Sequence, residues 1–397
     1  MSDLDVSAFV ERQVDAVHRA IGDEKTLIAV SGGVDSTVSA VIARRAIGGN
    51  LVCVFIDDNF MRLGEPEAVK SILSSPPLSL PSEVLDERRR FMNALNGLAD
   101  AEDKRKAFRE TFYRALGDAA RSAGCRFLVQ GTIRADIEET KGGIKTQHNI
   151  LEQIGIDSVE RFGFRVVEPI ASLYKYQVRE IARHLGVPPE VSERQPFPGP
   201  GLSVRVVGRI TEEKLDRLKV ATAVVEAAFK GFKPSQYFAA ITGGGHSNAP
   251  ERLHAQAAAA LGLDPSRVAA RYFSEKGTGV VGGRRAYGSV VAIEATDEVD
   301  SPIDVGYAGL ERMRATIQSR FPEVTRVLYM VDGRRDGEGC FIVMRAVETK
   351  DFITAGVSEI PWKNLRETAA KIIKNCPGMV KVYYDLTPKP PATIEFE

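Results

Sequence analysis

The segment Ser31-Gly32-Gly33-Val34-Asp35-Ser36-Thr37 sits where a strand gives way to a helix, and no other stretch constrains the fold as tightly. Thr26 to Val30 is a short apolar run that reads as a buried parallel strand. Val38, Val41, Ile42 and Ala46 then recur at helical spacing, so a helix starts inside the motif. Two glycines let the backbone fold until several N–H groups converge on one point. The N-terminus of the helix adds partial positive charge there, and the hydroxyls of Ser31, Ser36 and Thr37 add donors. The segment therefore predicts a polyphosphate cradle. It is not a Walker A loop, because no G-x-x-x-x-G-K-S/T is present and no lysine lies in the turn. A plain strand-to-helix turn with a capping Asp is the bland alternative; two glycines, three hydroxyls and an acid together argue against it.

The cradle opens a longer alternation. Strand candidates are 26–30, 51–56, 127–129 and 164–167, separated by helical patterns over 38–47, roughly 84–122, and 176–186. This predicts an α/β fold with a doubly wound parallel sheet, in which ligands bind beyond the carboxyl ends of the strands. Polar groups do follow the strands: Asp57-Asp58-Asn59, Gln130-Gly131-Thr132 and Glu168-Pro169.

At 397 residues two or three domains are expected. Arg194-Gln195-Pro196-Phe197-Pro198-Gly199-Pro200-Gly201-Leu202 breaks the pattern, being neither helix nor central strand. It marks a boundary near 207 while shaping a cleft, so that 1–207 form one domain and 208–397 an α+β domain. The second half contains a coarse repeat. Gly283-Arg284-Arg285, Ala292-Ile293-Glu294 and Asp297 match Gly333-Arg334-Arg335, Ala346-Val347-Glu348 and Asp351. Pro322 to Tyr329 likewise matches Pro377 to Tyr384. An internal duplication of two β-α-β units, about 278–331 and 332–397, is expected. Residues 243–277 read as an insert, a loop plus a short helix with no chemical signature.

Lys+Arg and Asp+Glu balance at 53 each, which argues against a nucleic-acid or membrane-surface protein. No apolar run approaches the ~20 residues of a membrane span, and Met1 to Asp5 lacks a signal-peptide pattern. Cys53, Cys125, Cys340 and Cys376 are scattered, without metal or disulfide spacing, and fit a reducing cytoplasm. None lies in a glycine-flanked nucleophile turn, so a cysteine-dependent glutaminase is not expected in this chain.

Read together, the cradle, Gln195-Pro196-Phe197-Pro198-Gly199-Pro200-Gly201-Leu202 and the final Lys389-Pro390-Pro391-Ala392-Thr393-Ile394-Glu395-Phe396-Glu397 resemble GMP synthetase. The likeness is to its ATP pyrophosphatase part, a PP-loop domain of the adenine nucleotide alpha hydrolase type, as found in the synthetase subunit of two-subunit enzymes. It covers roughly 1–240 and 278–397. The resemblance implies synthesis of GMP from XMP, ATP and ammonia with Mg²⁺, the ammonia coming from a separate glutaminase subunit. ATP adenylylates the C2 oxygen of XMP, releasing pyrophosphate, and ammonia then displaces AMP.

By the same resemblance Ser31, Gly32, Gly33, Val34, Asp35, Ser36 and Thr37 bind pyrophosphate, with Asp35 as Mg²⁺ ligand. Gly131 and Thr132 contact the nucleotide; Asp136, Glu139, Lys145, His148 and Asn149 align with a lid closing over ATP and XMP. Asp35 and Lys145 are the catalytic pair, Lys145 neutralising charge at the α-phosphate. XMP is implied to contact Arg105 of the Lys104-Arg105-Lys106 triplet, Asn149, Gln195, Lys389, Thr393, Ile394 and Glu395. Two prolines in the tail are expected to stiffen an extended segment. Asp57-Asp58-Asn59, Gln147 and Ile150-Leu151-Glu152-Gln153 depart from the family pattern, and the second half is some 80 residues longer than the resemblance suggests. The C-terminal domain pairs two subunits in the family, so a homodimer or a pseudo-dimeric monomer is expected. The competing readings are another adenylylating PP-loop enzyme, such as a tRNA thiolase or NAD synthetase, and a degenerate nucleotide-binding protein. The absence of paired cysteines disfavours thiolation, and the tail disfavours both enzymes.

Overall fold

A computed structural model describes residues 4–141, 158–281, 284–333, 339–349 and 353–397. The chain divides into two compact units, Met1–Leu95 with Arg105–Pro200, and Asn96–Lys104 with Gly201–Glu397. The division thus falls inside the Pro/Gly loop, and residues 201–207 lie with the second unit, where Val207 N donates to Ile241 O (2.8 Å).

In chain order the first unit contains α1 (Val6–Ile21), β1 (Thr26–Ala29), α2 (Val34–Ile47), β2 (Leu51–Asp57), α3 (Glu65–Ser74), β3 (Ser82–Asp86) and α4 (Arg88–Leu95). It continues through most of α5 (Ala101–Ala123), β4 (Phe127–Val129), α6 (Arg134–Lys141), α7 (Ser158–Phe162), β5 (Arg165–Val167), α8 (Lys175–His184) and α9 (Pro189–Ser192). The five strands form one parallel sheet in the order β3-β2-β1-β4-β5. Leu27 and Ile28 of β1 are fully buried, as a parallel strand covered on both faces requires. Val38, Ile42 and Ala43 of α2 pack in the same core as Val178 and Ile181 of α8 and Phe9 and Val17 of α1.

The expected helix over 84–122 is corrected. Ser82–Asp86 is a strand, paired from Cys53↔Ser82 to Asp57↔Asp86 at the sheet edge. Its lone apolar pair, Val84 and Leu85, is too short a signal to stand out beside the helical pattern that follows. That pattern is itself split: Gly97 turns the chain with φ +82°, and Asp100 restarts a helix by accepting from Glu102 N (2.9 Å) and Asp103 N (3.0 Å).

The second unit contains α10 (Glu212–Phe229), β6 (Gln236–Thr242), β7 (His246–Asn248), α11 (Glu251–Leu261), β8 (Val268–Val281), β9 (Arg284–Ala295) and α12 (Tyr307–Arg320). These are followed by β10 (Val324–Gly333), β11 (Cys340–Glu348), β12 (Gly356–Val357), α13 (Trp362–Asn375) and β13 (Met379–Asp385). Its sheet runs β12-β11-β13-β10-β9-β8-β7, with β6 also paired to β11. Two parallel crossovers stand back to back, β9-α12-β10 and β11-α13-β13. Their inner strands meet antiparallel, with Tyr329↔Tyr384 at the centre, flanked by Leu328↔Asp385 and Met330↔Tyr383. Exchanging the two crossovers carries the central pairing onto itself and the two flanking pairings onto each other, a local pseudo-two-fold. Gly283, Arg334, Arg335 and Asp351, which carry part of the sequence repeat, lie outside the described residues.

Two expectations change here. Residues 243–277 are not a loop plus a helix alone, since β7 and the first part of β8 belong to the main sheet, with Val268↔Ala295 through Tyr272↔Val291 in antiparallel register. The alanine and glycine richness hid a strand in which Ala270 and Phe273 are buried. The tail is not extended either. Lys389–Pro390 and Pro390–Pro391 are cis, and Ala392 N returns to Pro388 O (3.0 Å). The tail then lies against the unit through Val280 N to Pro391 O (2.7 Å) and Thr278 N to Phe396 O (2.9 Å). Among the described residues no helix is long and apolar enough to cross a membrane.

Candidate active site

The strand order places β1 between β2 and β4, so the direction in which strands are added reverses between β1 and β4, at their carboxyl ends. The Ser31–Thr37 segment leaves β1 at this point. Gly32 has φ +73°, a conformation that side chains resist, and a Cβ there would meet Val69 Cγ2 at 2.5 Å. Gly33 is the N-cap of α2, and no side chain caps the helix. The first-turn N–H groups are therefore left for a ligand or solvent. Asp35, which the sequence allowed as a cap, instead is the second residue of the helix.

The hydroxyls bond within the loop. Ser36 Oγ and Thr37 Oγ1 donate back to Gly33 O (3.1 and 2.9 Å). Ser36 Oγ also accepts from Ser31 N (3.2 Å), and Ser31 Oγ accepts from Gly33 N (3.4 Å). They brace the loop from within. Val34 is buried in the core, so only its backbone faces the turn.

Gly131 of the next strand end closes against this loop. A Cβ on Gly131 would lie 2.8 Å from both Asp35 C and Ser36 N. Its neighbours are tied down around it. Gln130 Nε2 donates to Tyr113 Oη (2.8 Å), and the buried Thr132 donates to Glu168 Oε1 (2.6 Å). Thr132 thus orients the turn through Glu168. Asp136 Oδ2 accepts from Ile133 N (3.0 Å) and so holds the start of α6.

Lys175, at the first position of α8, pairs with Asp35 Oδ2 and brings a cation to the cradle that the sequence did not flag. No local signal marks it, because its partner lies 140 residues away. Asp35 Oδ1 is buried and has no hydrogen-bond partner among the described residues. Among those residues no group of three or more His, Cys, Asp or Glu could hold a metal. One free carboxylate oxygen fits Mg²⁺ coordinated otherwise by phosphate and water.

Beside Gly32 lies a largely apolar cavity of ≈ 230 Å³ walled by Leu63, Val69, Ile72, Leu73 and Val191. Glu65 in its wall pairs with Arg194 and, at 3.4 Å, with Arg62, whose guanidinium lies 4.1 Å from the ring centre of Phe197. Arg194 and Phe197 belong to the proline-rich loop, so this loop is anchored to α3. Asp57-Asp58-Asn59 is a braced turn, with Asp57 Oδ1 accepting from Asn59 N (3.1 Å) and Asp58 Oδ1 from Phe60 N (2.7 Å). Arg105 and Gln195 are half-buried in the first unit. Lys145, Gln147, His148, Asn149 and Ile150 to Gln153 lie outside the described residues, as does the side chain of Glu139.

In the second unit the tail is held by buried charge. Glu395 is gripped at both oxygens by Arg205 Nε and Nη2 (2.9 Å each). Glu397 pairs with the buried Lys104 and accepts from Gly208 N (2.8 Å). Lys104 also donates to Val206 O (2.7 Å), so its ammonium ties α5 to the tail. Arg326 and Arg345 both meet Asp385 Oδ2, at 2.6 and 2.8 Å, and all three are buried. Burial alone would raise the Asp385 carboxyl, but Arg345, Arg326 and the Thr387 N–H hold it below its ordinary value. Burial, with Arg345 nearby, pulls the Arg326 guanidinium down to about 10. The cysteines are all free; burial pushes the Cys53 thiol up to about 11, against a nucleophilic role.

A glutamine-hydrolyzing GMP synthase subunit from Saccharolobus solfataricus is 42% identical over 399 residues, spanning 99% of this chain and 100% of the relative. The chain belongs to the GMP synthase family. A second subunit of the same kind, from Methanopyrus kandleri, is 37% identical over 401 residues with the same coverage. Residues 330–396 match the GMP synthase C terminal domain. The NH3-dependent NAD synthetase of Campylobacter jejuni superposes with TM-score 0.38 and 16% identity, over 49% of this chain and 79% of that one. The two GMP synthase alignments run through 243–277 as well. The longer second half is thus shared with these relatives, correcting the expectation that the likeness skips that stretch.

Proposed function

We propose that this chain makes GMP from XMP, ATP and ammonia. The observation that carries the reading is the 42% identity to a GMP synthase subunit along the whole chain. In the first step the C2 oxygen of XMP attacks the α-phosphorus, the O–Pα bond forms, and the bond to the β-phosphate breaks to release pyrophosphate. Ammonia then adds at C2, and AMP leaves with the oxygen.

The main-chain cradle suits the leaving group, since convergent N–H groups neutralise charge that accumulates on pyrophosphate as the bond breaks. Asp35 Oδ1 would hold Mg²⁺, which when bound neutralises the β- and γ-phosphates. Lys175 orients Asp35 through its other oxygen. By the resemblance, Lys145, His148 and Asn149 are assigned to the lid, with Lys145 given the role of neutralising charge at the α-phosphate. Lys389, Thr393, Ile394 and Glu395 are assigned to XMP.

A separate glutaminase subunit supplies ammonia in a cytoplasmic enzyme. The two back-to-back crossovers support an internal pseudo-dimer and hence a monomeric chain; a stable homodimer by mass in solution would contradict that. The functional test is pyrophosphate release with ATP and Mg²⁺. Turnover that requires XMP and runs with ammonium, but not with glutamine alone, is expected. Turnover without XMP, or none with it, overturns the reading.

A further inference from the structure

The tail segment Thr393–Glu395 offers three successive carbonyls, and each accepts from a buried guanidinium. Thr393 O takes Arg326 Nη2 (3.1 Å) and Arg345 Nη2 (3.0 Å). Ile394 O takes Arg345 Nε (2.9 Å), and Glu395 O takes Arg326 Nη2. Arg326 Nη2 also reaches Thr393 Oγ1 (3.2 Å).

The two arginines come from β10 and β11, the strands on either side of β13, and Asp385 stands at the end of β13 between them. Its Oδ2 accepts from both, while Oδ1 accepts from Thr387 N (2.9 Å), so one acid sets the direction of both forks. The Phe396 ring lies 4.4 Å from the Arg326 guanidinium and closes that side. With the carbonyls pinned, the N–H groups of Ile394 and Glu395 donate to no described residue and are left to a ligand or to water.

Burying two guanidiniums and a carboxylate is expensive, and apolar side chains of similar volume would hold the tail against these interior strands at least as well. Fork geometry is what they supply, two fixed N–H directions apiece that a lysine cannot reproduce. We infer that Arg326 and Arg345, bridged by Asp385, are positioning residues that shape Thr393–Glu395 for XMP. This rests on the reading that the tail touches XMP.

The test is steady-state kinetics of the full chain with ammonium, varying XMP and ATP separately, on Arg326→Lys and Arg345→Lys. A rise of about 10-fold in KM for XMP is expected, with kcat within about 3-fold and KM for ATP unchanged. Tyr307→Phe removes a hydrogen bond to Ile360 O (2.6 Å) in the same unit and controls for lowered stability; it should leave KM for XMP unchanged. Lys389→Ala separates the two claims. If it raises KM for XMP while the arginine variants lose only melting temperature and active fraction, the clamp is overturned and the tail reading stands. If none of the three variants moves KM for XMP, the tail reading falls too. Should an arginine variant not fold, Phe396→Leu perturbs the same clamp mildly. A KM for XMP raised about 3-fold supports the clamp, and an unchanged value contradicts it.

Discussion

The Ser31–Thr37 loop and the tail seat fix their main-chain atoms by opposite means. The cradle is made of main chain, with Gly32 at positive φ, Gly131 pressed on Asp35 and Ser36, and three hydroxyls bonded back into the loop. The tail seat is made of side chains, in which Arg326, Arg345 and Asp385 are fully buried and hold three carbonyls in place. The first should fail when volume is added and the second when charge is removed. Each can be broken without touching the chemistry of the other.

The largest effect should come from Gly131→Ala. Its Cβ would sit 2.8 Å from two backbone atoms, so the loop itself must move. A displacement approaching 1 Å at a reacting centre costs about 100-fold, and kcat/KM for ATP should fall at least that far. Trp362, the single tryptophan and part of the second unit, should keep its fluorescence. A fall of less than about 10-fold would mean that the cradle is not held by this close approach.

Next comes Asp385→Ala, which leaves two buried guanidiniums without their acid. Breaking such a group costs about 3–5 kcal/mol, read as an earlier urea transition of Trp362 fluorescence. A shift below about 1 kcal/mol would show that water already compensates the arginines.

The same carboxylate predicts an acid limb. Its folded pKa lies below the ordinary value, so its contribution to stability is present above pH ~4 and is lost as pH falls through the folded value. The Trp362 transition should weaken below pH ~4 in the wild type, and this limb should flatten in Asp385→Ala. An identical limb in both would assign it to other acids. The smallest effect is expected for Arg88→Ala. That residue's 2.5 Å pair with Asp86 is exposed on both sides and its contact with Asp57 is long, 3.6 Å, so the melting temperature should change only slightly.

What the chain reveals before folding follows the same contrast. The cradle is local, seven consecutive residues between a buried strand and a helix, and β1, β2, β4 and β5 are apolar runs that announce themselves. β3 does not, because an edge strand with one apolar pair carries little periodic signal. The fate of the hydroxyls was also hidden, since Ser36 and Thr37 read equally well as donors to a ligand or to Gly33 O. The tail seat is assembled from positions 205, 326, 345 and 385 around 393–395, and no local pattern ties an arginine on one strand to a carbonyl on a distant tail. Lys175 is the same case, a cation whose meaning depends on Asp35 across the fold.

The most direct test of the chemistry is isotopic. XMP carrying heavy oxygen at C2 is turned over with ATP, Mg²⁺ and ammonium, and the AMP formed is weighed. AMP bearing the heavy oxygen, formed in step with GMP and pyrophosphate, is the predicted result. Unlabelled AMP, or ADP and inorganic phosphate in its place, would contradict adenylylation of XMP at that oxygen.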